Sequence, residues 1–267
     1  MIIESSGRTD VGKKRESNED SYLCNVTSGY FVVADGMGGH QAGEVASRVV
    51  VEEIDAQLQR FMSMQTAPGM TDDTLSRPAN GLLSAILAAN RKVFDLAQAN
   101  EKHRGMGSTV SCVLFSGTTI VSANVGDSPV YLVRKETISP LSVPHTVEAE
   151  LSALDQNRLT RIDAKYHHML TRAMGIEARV QPDFSEVQSF PGDIVIVCSD
   201  GLSNKVQPSE MVDIVTQNSA DDACRLFIGL ANGRGGEDNI TVIVAKLVEP
   251  ESKRGRFFSF FSRFFRK

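Results

Sequence analysis

The sequence predicts an α+β fold in which antiparallel sheets pack together and helices cover their outer faces. Two observations support this class. Seven short runs are rich in apolar and β-branched residues, and four longer segments have helical spacing and occur as two pairs. The order is strands, a helix pair, strands, an irregular stretch, strands, a second helix pair and a last strand. Such an order favours packed antiparallel sheets over the regular alternation of a parallel sheet.

The strands are predicted from period-2 or continuous β-branched runs. They are Tyr22–Val26, Tyr30–Ala34, Thr109–Phe115, Thr119–Ala123, Val130–Arg134, Asp193–Cys198 and Ile240–Leu247. All are far shorter than the roughly 20 apolar residues of a membrane span, so no span is expected.

The helices are predicted from apolar residues that recur on one side of a segment. They run from Gly43 to about Met62, from about Asn80 to Ala99, over Pro208–Gln217 and over Asp221–Asn232. Between the first two, Ser63–Pro78 contains two prolines among polar residues and is predicted to be a loop. Pro208 suits a helix start.

The stretch Ile138–Arg172 has two prolines, two adjacent histidines and little β character. We interpret it as an insertion over one end of the sheets and a candidate lid, residues 138–172. With 267 residues, of which 41% are apolar and 23% charged, residues 1–249 are expected to form a single domain.

The N-terminal and cysteine patterns predict a cytoplasmic protein. The first residues contain Glu4 and no basic region followed by an apolar one, so no cleaved secretory signal is expected. None of the four cysteines forms a CxxC pair, lies near a histidine at zinc-finger spacing, or lies in a phosphate loop closed by an arginine. Cys112 and Cys198 lie in apolar runs and are predicted to be core thiols. A reducing compartment fits this usage.

Five acidic dipeptides lie at the edges of apolar runs or in glycine-rich turns. They are Glu19-Asp20, Asp35-Gly36, Gly126-Asp127, Asp200-Gly201 and Glu237-Asp238. Carboxylates at strand ends are where a sheet protein collects hard cations, and divalent cations that bind water provide a route to hydrolysis.

Three of these acids are predicted to converge. Asp35 and Asp200 each follow an apolar run and precede a glycine, and Asp238 lies directly before the last strand. Each motif alone has an ordinary interpretation, since an Asp-Gly pair is usually a turn and the GGED segment could be a solvated loop. Their repetition favours a site in which two metal ions neutralise mutually repelling carboxylates and bridge one water.

These motifs resemble those of the metal-dependent PPM (2C-type) protein serine/threonine phosphatases in their bacterial form. The resemblance covers roughly Arg8 to Leu247. It depends on the ordered segments TDVGKKRESNEDS, VVADGMGGHQAGEVAS, MGSTVSCVLF, ANVGDSPVYLVR, LTRAMG, GDIVIVCSDGL and DNITVIVA. It implies a central antiparallel β-sandwich flanked by pairs of antiparallel helices.

The resemblance also implies a set of metal ligands for Mn²⁺ or Mg²⁺. Asp35 would bridge two core ions and the Gly36 carbonyl would complete one of them. Asp200 and Asp238 would hold the other ion. Asp127, with Asp200, would hold a third and weaker ion, and Glu19 and Asp20 would act close by, directly or through bound waters.

Two further residues receive catalytic roles from the resemblance. Arg15 matches the arginine that grips the substrate phosphate, for which a guanidinium fork suits the oxygen geometry. His40, which ends the DGMGGH segment, is the candidate general acid for the leaving oxygen, although a histidine beside a glycine turn is more often structural. His103, His145, His167 and His168 match no motif and are predicted to be structural or exposed. Thr109 is expected to support the sheet near the site.

The chain departs from the family pattern in two places. Pro129 stands where the family usually has an arginine after the GDS motif, which removes a backbone donor and a charge. The family's Asp-His-Ser at the head of the lid is here Pro144-His145-Thr146. Both changes concern the conformation of the lid and the substrate preference more than the reaction.

The C-terminal segment 250–267 is basic and rich in phenylalanine. It contains six of the thirteen phenylalanines and six basic residues against one acid, whereas the chain as a whole has a net charge of −5. On a helix the phenylalanines Phe257, Phe258, Phe261, Phe264 and Phe265 would share one broad face. Such a segment suits the anionic inner membrane surface; docking to a partner protein, packing on the domain and disorder are the alternatives. Nucleic acid is not expected, because the remaining chain is acidic.

Together these features predict a cytoplasmic protein phosphatase that hydrolyses phosphoserine and phosphothreonine through a water bridged between two divalent metals. A eukaryotic-like serine/threonine kinase is the expected opponent. Two alternatives remain from the sequence: a metal-binding interaction module with little catalysis, and a regulatory phosphatase dedicated to one partner.

Overall fold

Two antiparallel β-sheets form the centre of the molecule. The computed structural model describes residues 2–38, 42–63, 71–154, 163, 166 and 168–249. The first sheet has the order β1 (Ile2–Asp10), β11 (Ile240–Val248), β10 (Ile194–Cys198), β7 (Val130–Arg134) and β8 (Thr137–Pro140). The second has the order β2 (Asp20–Asn25), β3 (Tyr30–Met37), β5 (Val110–Ser116), β6 (Thr119–Val125) and β9 (Asp183–Gln188), and the short β4 (Gly107–Ser108) pairs with the end of β3.

The alternation of side chains along the central strands builds three apolar layers. In β3, Phe31 and Val33 face the first sheet and join Val195, Val197 and other residues between the sheets. Their neighbours in β3 point the other way, into the layer below the first helix pair. Strands buried on both faces are therefore nearly continuous apolar runs, and for this reason they can be predicted from the sequence.

Helix pairs cover both outer faces. The second sheet carries α1 (Ala42–Ser63) and α2 (Arg77–Ala99), which bury residues such as Ile54 and Leu82. The first sheet carries α5 (Pro208–Gln217) and α6 (Ala220–Gly233), which bury Phe227. The described residues also form the shorter helices α3 (Val147–Leu154) and α4 (Asp200–Ser203) and a 3₁₀ turn at Glu101–His103.

Helix starts follow local capping rules. The Ser76 side chain accepts a bond from the Ala79 amide at the start of α2, and the Ser219 side chain accepts one from the Asp222 amide at the start of α6. In α5, Pro208 occupies the first turn, where its missing N–H costs no helical hydrogen bond, as the sequence predicts.

The predicted fold class is confirmed, and the seven predicted strands and four predicted helices all occur with ends shifted by a few residues. Four strands among the described residues were missed: β1, β4, β8 and β9. The strand β4 has only two residues. The other three lie at sheet edges and have half-exposed, polar sequences such as DFSEVQ, so their apolar alternation is weak. Cys112 and Cys198 are fully buried, as predicted.

The stretch 138–172 contains more regular structure than its sequence indicates. It begins within β8 and includes α3, and an isolated bridge pairs Thr146 with Leu170 so that its two stems lie side by side. Within the part of the chain that the structure describes, no helix is long and apolar enough to cross a bilayer. The predicted tail, residues 250–267, lies outside the described residues.

Candidate active site

Five aspartates from separate strand ends meet at one end of the sandwich. Asp20 and Asp35 are direct cross-strand partners of β2 and β3. Asp200 follows β10 and Asp238 precedes β11; because these strands are antiparallel neighbours, the two residues lie at the same edge. Asp127 follows β6 and completes the group, since its charge acts on Asp35.

The backbone around Asp35 is fixed by hydrogen bonds on both sides. Its amide donates to Thr109 Oγ1 at 3.0 Å, and its carbonyl accepts from the Thr109 amide at 2.8 Å and from Ser108 Oγ at 2.9 Å. The next amide, at Gly36, donates to the Glu19 carbonyl at 3.0 Å. The backbone of Asp35 is therefore held in place on both sides, and Thr109 supports the sheet near the site as expected.

Asp20 is held through one oxygen and left unpaired at the other. Ser199 Oγ and Thr241 Oγ1 donate to Asp20 Oδ2 at 2.8 and 2.6 Å. Asp20 Oδ1 is buried and has no hydrogen-bond partner among the described residues, and the same is true of Asp200 Oδ1. Buried carboxylate oxygens without donors are costly unless a ligand satisfies them.

The electrostatics of the cluster show a shortage of positive charge. Burial, and then the charges of Asp20 and Asp200, raise the pKa of Asp35 well above its ordinary value. Burial raises the pKa of Asp20 to about 7 against the bonds from Thr241 and Ser199, and burial with the Asp200 charge raises that of Asp127 to about 6. The pKa of Asp200 is raised by burial and by Asp238.

Arg15 brings a cation to the edge of this cluster. Its Nη2 donates to Asp238 Oδ2 at 2.8 Å, and this bond raises the pKa of the guanidinium. The side chain is 52% exposed, so it stands between the acids and solvent. The sequence assigned Arg15 to phosphate and Asp238 to metal, and the structure pairs the two with each other.

The acids suit hard divalent cations in number and type. Among the described residues, no three His, Cys, Asp or Glu side chains form a ready-made cage for one ion. Mg²⁺ and ions like it are usually held by one or two carboxylates and keep several waters, so a cage is not required. The two orphan oxygens of Asp20 and Asp200 and the repulsion among five carboxylates fit such ions.

Close packing at Gly36 and Gly43 locks the start of α1 onto the end of β3. A Cβ atom on Gly36 would lie 2.1 Å from the Gly43 carbonyl oxygen, and one on Gly43 would lie 2.3 Å from Glu19 Oε2. No side chain fits at Gly36 without moving backbone. The packing holds the Gly36 peptide and the Glu19 side chain beside each other at the site.

Sequence reasoning missed several uncharged residues that organise the acids. Asn239 Oδ1 accepts from the Glu19 amide at 2.8 Å, and its Nδ2 donates to the Val11 and Ser17 carbonyls at 2.9 Å. The Ser199 amide also donates to the Thr241 carbonyl, and the Thr241 amide donates to Ser199 Oγ, both at 3.0 Å. Their position next to Asp200 and Asp238 in the motifs was the available signal.

A cavity of about 240 Å³ adjoins the site on the side of the candidate lid. Its lining includes Asp127 and Asp200 from the acidic cluster and Pro129, Tyr131 and Pro144. Pro129 therefore lines a groove next to the acids, where the family pattern has an arginine.

The histidines differ in their surroundings. His168 is exposed and near Asp127, His103 is half-buried, and His145 is fully buried. His40 and His167 lie outside the described residues, so the predicted general acid has no described position.

The order of these strands, helices and acids agrees with a known family. A family model described as Protein phosphatase 2C matches residues 11–225. The chain belongs to the protein phosphatase 2C family. The predicted family is thus confirmed, and the enzymatic class of this family favours a phosphatase over a non-catalytic interaction module.

Individual relatives cover nearly the whole phosphatase. The serine/threonine phosphatase stp of Listeria welshimeri is 34% identical over 246 residues, which are 90% of this chain and 94% of that protein. The solved serine/threonine phosphatase of S. agalactiae has a TM-score of 0.79 and 30% identity and covers 93% of this chain and 100% of its own. The catalytic domain of PstP, solved with 2 manganese ions, has a TM-score of 0.75 and 29% identity, with 93% and 99% covered.

Proposed function

We propose that this chain is a metal-dependent protein phosphatase that hydrolyses phosphoserine and phosphothreonine in proteins. The observation that carries the proposal is the convergence of five aspartates, two of which have a buried oxygen without a partner among the described residues. The relatives named serine/threonine phosphatases support the substrate class.

Each acid has a proposed part in holding Mn²⁺ or Mg²⁺. Asp35, the Gly36 carbonyl, Asp200 and Asp238 would hold the two core ions. Asp127 with Asp200 would hold a third, weaker ion, and Glu19 and Asp20 would act close by, directly or through bound waters. When bound, the ions would offset the charge of the carboxylates and of the phosphate and lower the pKa of a bound water.

The chain's own residues position the substrate. Arg15 stands at the mouth of the cluster, where its fork can bind phosphate oxygens in two places at once. Its bond to Asp238 orients the guanidinium and is one that a phosphate would compete for. His40 is proposed to donate the proton to the departing serine or threonine oxygen.

The first test measures phosphate release from a phosphothreonine peptide with Mn²⁺, with EDTA, and with the variant Asp238→Asn. We expect turnover that requires Mn²⁺ and falls at least about 100-fold in the variant, because a metal ligand and the partner of Arg15 are lost together. Asp221→Asn is the matched control, since Asp221 also pairs with an arginine, Arg8, but on an exposed surface.

Activity of Asp238→Asn equal to that of the control would refute the proposed site. Turnover confined to one phosphoprotein in a panel would instead support the regulatory phosphatase dedicated to one partner. The opposing enzyme is proposed to be a serine/threonine kinase of the eukaryotic-like type, because it would create the phosphoresidues removed here.

We further propose that the phosphatase works in the cytoplasm with its tail, residues 250–267, at the anionic inner membrane surface. The pattern of phenylalanines and basic residues supports this. The full chain should sediment with vesicles containing about 30% anionic lipid, and Phe257→Ser with Phe258→Ser should reduce binding at least about fivefold. Equal sedimentation of the variant and of the unchanged chain would refute it; binding to neutral vesicles alone would exclude the electrostatic part.

A further inference from the structure

His145 is a fully buried histidine that none of the roles assigned above uses. It lies where the first stem of the 138–172 segment meets the turn between β6 and β7. That turn contains Gly126 and Asp127, the proposed ligand of the weaker ion. The ring therefore stands one residue away from a site acid.

Two hydrogen bonds join His145 to Gly126. The Gly126 amide donates to His145 Nδ1 at 3.1 Å, and the His145 amide donates to the Gly126 carbonyl at 2.9 Å. Gly126 has φ +103°, and a Cβ atom there would lie 2.7 Å from the Thr109 side chain. The turn therefore requires a glycine at this position, and His145 satisfies both of the glycine's backbone polar groups.

The other side of His145 contacts the second stem. The Thr171 amide donates to the His145 carbonyl at 2.9 Å. The ring Nε2 lies 3.3 Å from Asp183 Oδ2, and Asp183 also pairs with Arg172 Nη1 at 2.8 Å. His145 thus connects both stems of the segment to the turn that carries Asp127.

The approach of the first stem is set in register with β6. Ser122 Oγ donates to the Leu141 carbonyl at 3.1 Å, and Asn124 Nδ2 donates to the Val143 carbonyl at 2.9 Å. Gly126 and His145 continue this spacing of two residues on both segments. Side-chain hydrogen bonds from β6 therefore hold the first stem alongside this strand and fix the position of His145.

The contacts define the tautomer of the ring. Because Nδ1 accepts from an amide, the proton of the neutral ring is on Nε2, which faces Asp183. Burial and the charge of Arg172 lower the pKa of His145, against the opposite effect of Asp183. The Nε2–Asp183 contact of 3.3 Å is not a well-aligned hydrogen bond, and Nε2 has no other hydrogen-bond partner among the described residues. The Gly126 bond is therefore the stronger of the two.

We propose that His145 is a positioning residue that holds the Gly126-Asp127 turn through its Nδ1 and thereby couples the 138–172 segment to the weaker metal ion. The inference rests on the metal ligands assigned under the proposed function, because it requires Asp127 to hold the weaker ion. It acts through Gly126 and touches neither substrate nor ion.

Two amide variants separate the functions of the two ring nitrogens. His145→Asn places an acceptor oxygen near the Nδ1 position and can keep the Gly126 bond. His145→Gln extends a donor towards Asp183 and loses that acceptor. Asp127→Asn is the reference variant, because it removes the proposed ligand of the weaker ion.

Binding is measured by Mn²⁺ titration with electron paramagnetic resonance of the free ion, without substrate. The weakest of the Mn²⁺ dissociation constants should be at least about 10-fold higher in His145→Gln than in the unchanged chain, which brings it towards the value for Asp127→Asn. In His145→Asn the same dissociation constant should change less than about threefold. The two tighter sites should be unchanged in both. The proposal would be overturned if the unchanged chain, His145→Gln and His145→Asn had equal Mn²⁺ dissociation constants, or if Mn²⁺ binding weakened equally at every site.

A spectroscopic measurement keeps the proposal testable if His145→Gln does not fold. The ¹⁵N shifts of the His145 ring in the unchanged chain should show a proton on Nε2 and a hydrogen-bonded, unprotonated Nδ1. A proton on Nδ1 would overturn the proposal. Correct Mn²⁺ and NMR results without phosphatase activity would reject the proposed function while the positioning role stands.

Discussion

At the scale of single residues, uncharged side chains hold the acids in place. Ser199 and Thr241 fix one oxygen of Asp20, and Thr109 fixes the backbone of Asp35. Each bond to a charged group contributes about 1.5–3 kcal/mol, so these residues offset part of the cost of burying the carboxylates. The unpaired oxygens are the part of the acids left for ions.

Among substitutions of uncharged residues near the site, Asn239→Ala should cause one of the largest losses of stability and activity. It removes three hydrogen bonds to the 11–19 segment, which carries Arg15 and Glu19. We expect a loss of about 2–3 kcal/mol in the free energy of unfolding in EDTA, and at least tenfold lower activity with Mn²⁺.

Asn100→Ala is the control, because Asn100 is exposed and makes one capping bond, to the Lys102 amide. Urea unfolding should show that Asn100→Ala lowers the free energy of unfolding by about 0.5–1 kcal/mol. If Asn239→Ala costs no more than this control, the bridge of hydrogen bonds does not organise the site.

At the scale of elements, the site depends on where strands end and how the first helix pair begins. The start of α1 contacts the end of β3 so closely that Gly36 and Gly43 exclude side chains. The helix therefore fixes the Gly36 carbonyl, and the antiparallel pairing of β10 with β11 fixes Asp200 against Asp238.

Gly43→Ala and Gly229→Ala should have opposite effects although both glycines lie in helices. A Cβ atom on Gly43 would lie 2.9 Å from the Gly36 carbonyl carbon, whereas no described atom lies within 4 Å of one on Gly229. Thermal unfolding should show Gly43→Ala destabilised by about 1–3 kcal/mol and Gly229→Ala stabilised by up to about 1 kcal/mol. Effects of the same sign would mean that α1 can shift away from β3 at little cost.

At the scale of the whole molecule, stability and function oppose each other in the acidic cluster. Two apolar layers beneath the helix pairs and one between the sheets hold the strand ends together. This burial concentrates five carboxylates whose mutual repulsion raises the free energy of the ion-free protein. The fold thus supplies a site that ions stabilise.

Mn²⁺ should therefore raise the unfolding temperature, and Asp35→Asn should abolish the rise. At one hundred times the dissociation constant, the stabilisation is about 2.7 kcal/mol, or roughly 5–10 °C for a chain of this size. In EDTA the variant should unfold at a higher temperature than the unchanged chain, because a repelling charge is removed. Scanning calorimetry with and without Mn²⁺ checks both statements, and a variant less stable in EDTA would contradict the second.

The sequence by itself determined the fold class, the central strands, both helix pairs and the acids that converge. Strands buried on both faces, amphipathic helices and Asp-Gly turns leave local patterns, since their burial or turn geometry constrains neighbouring residues. The edge strands β1, β8 and β9 leave weak patterns because one of their faces meets solvent.

Only the tertiary structure decided the pairing of Arg15 with Asp238, the bridge built by Asn239 and the contact of His145 with Gly126. In each case the partners are far apart in sequence, from 19 to 228 residues. Nothing in either local segment encodes such a contact, because it exists only where packed strand ends bring the two segments together.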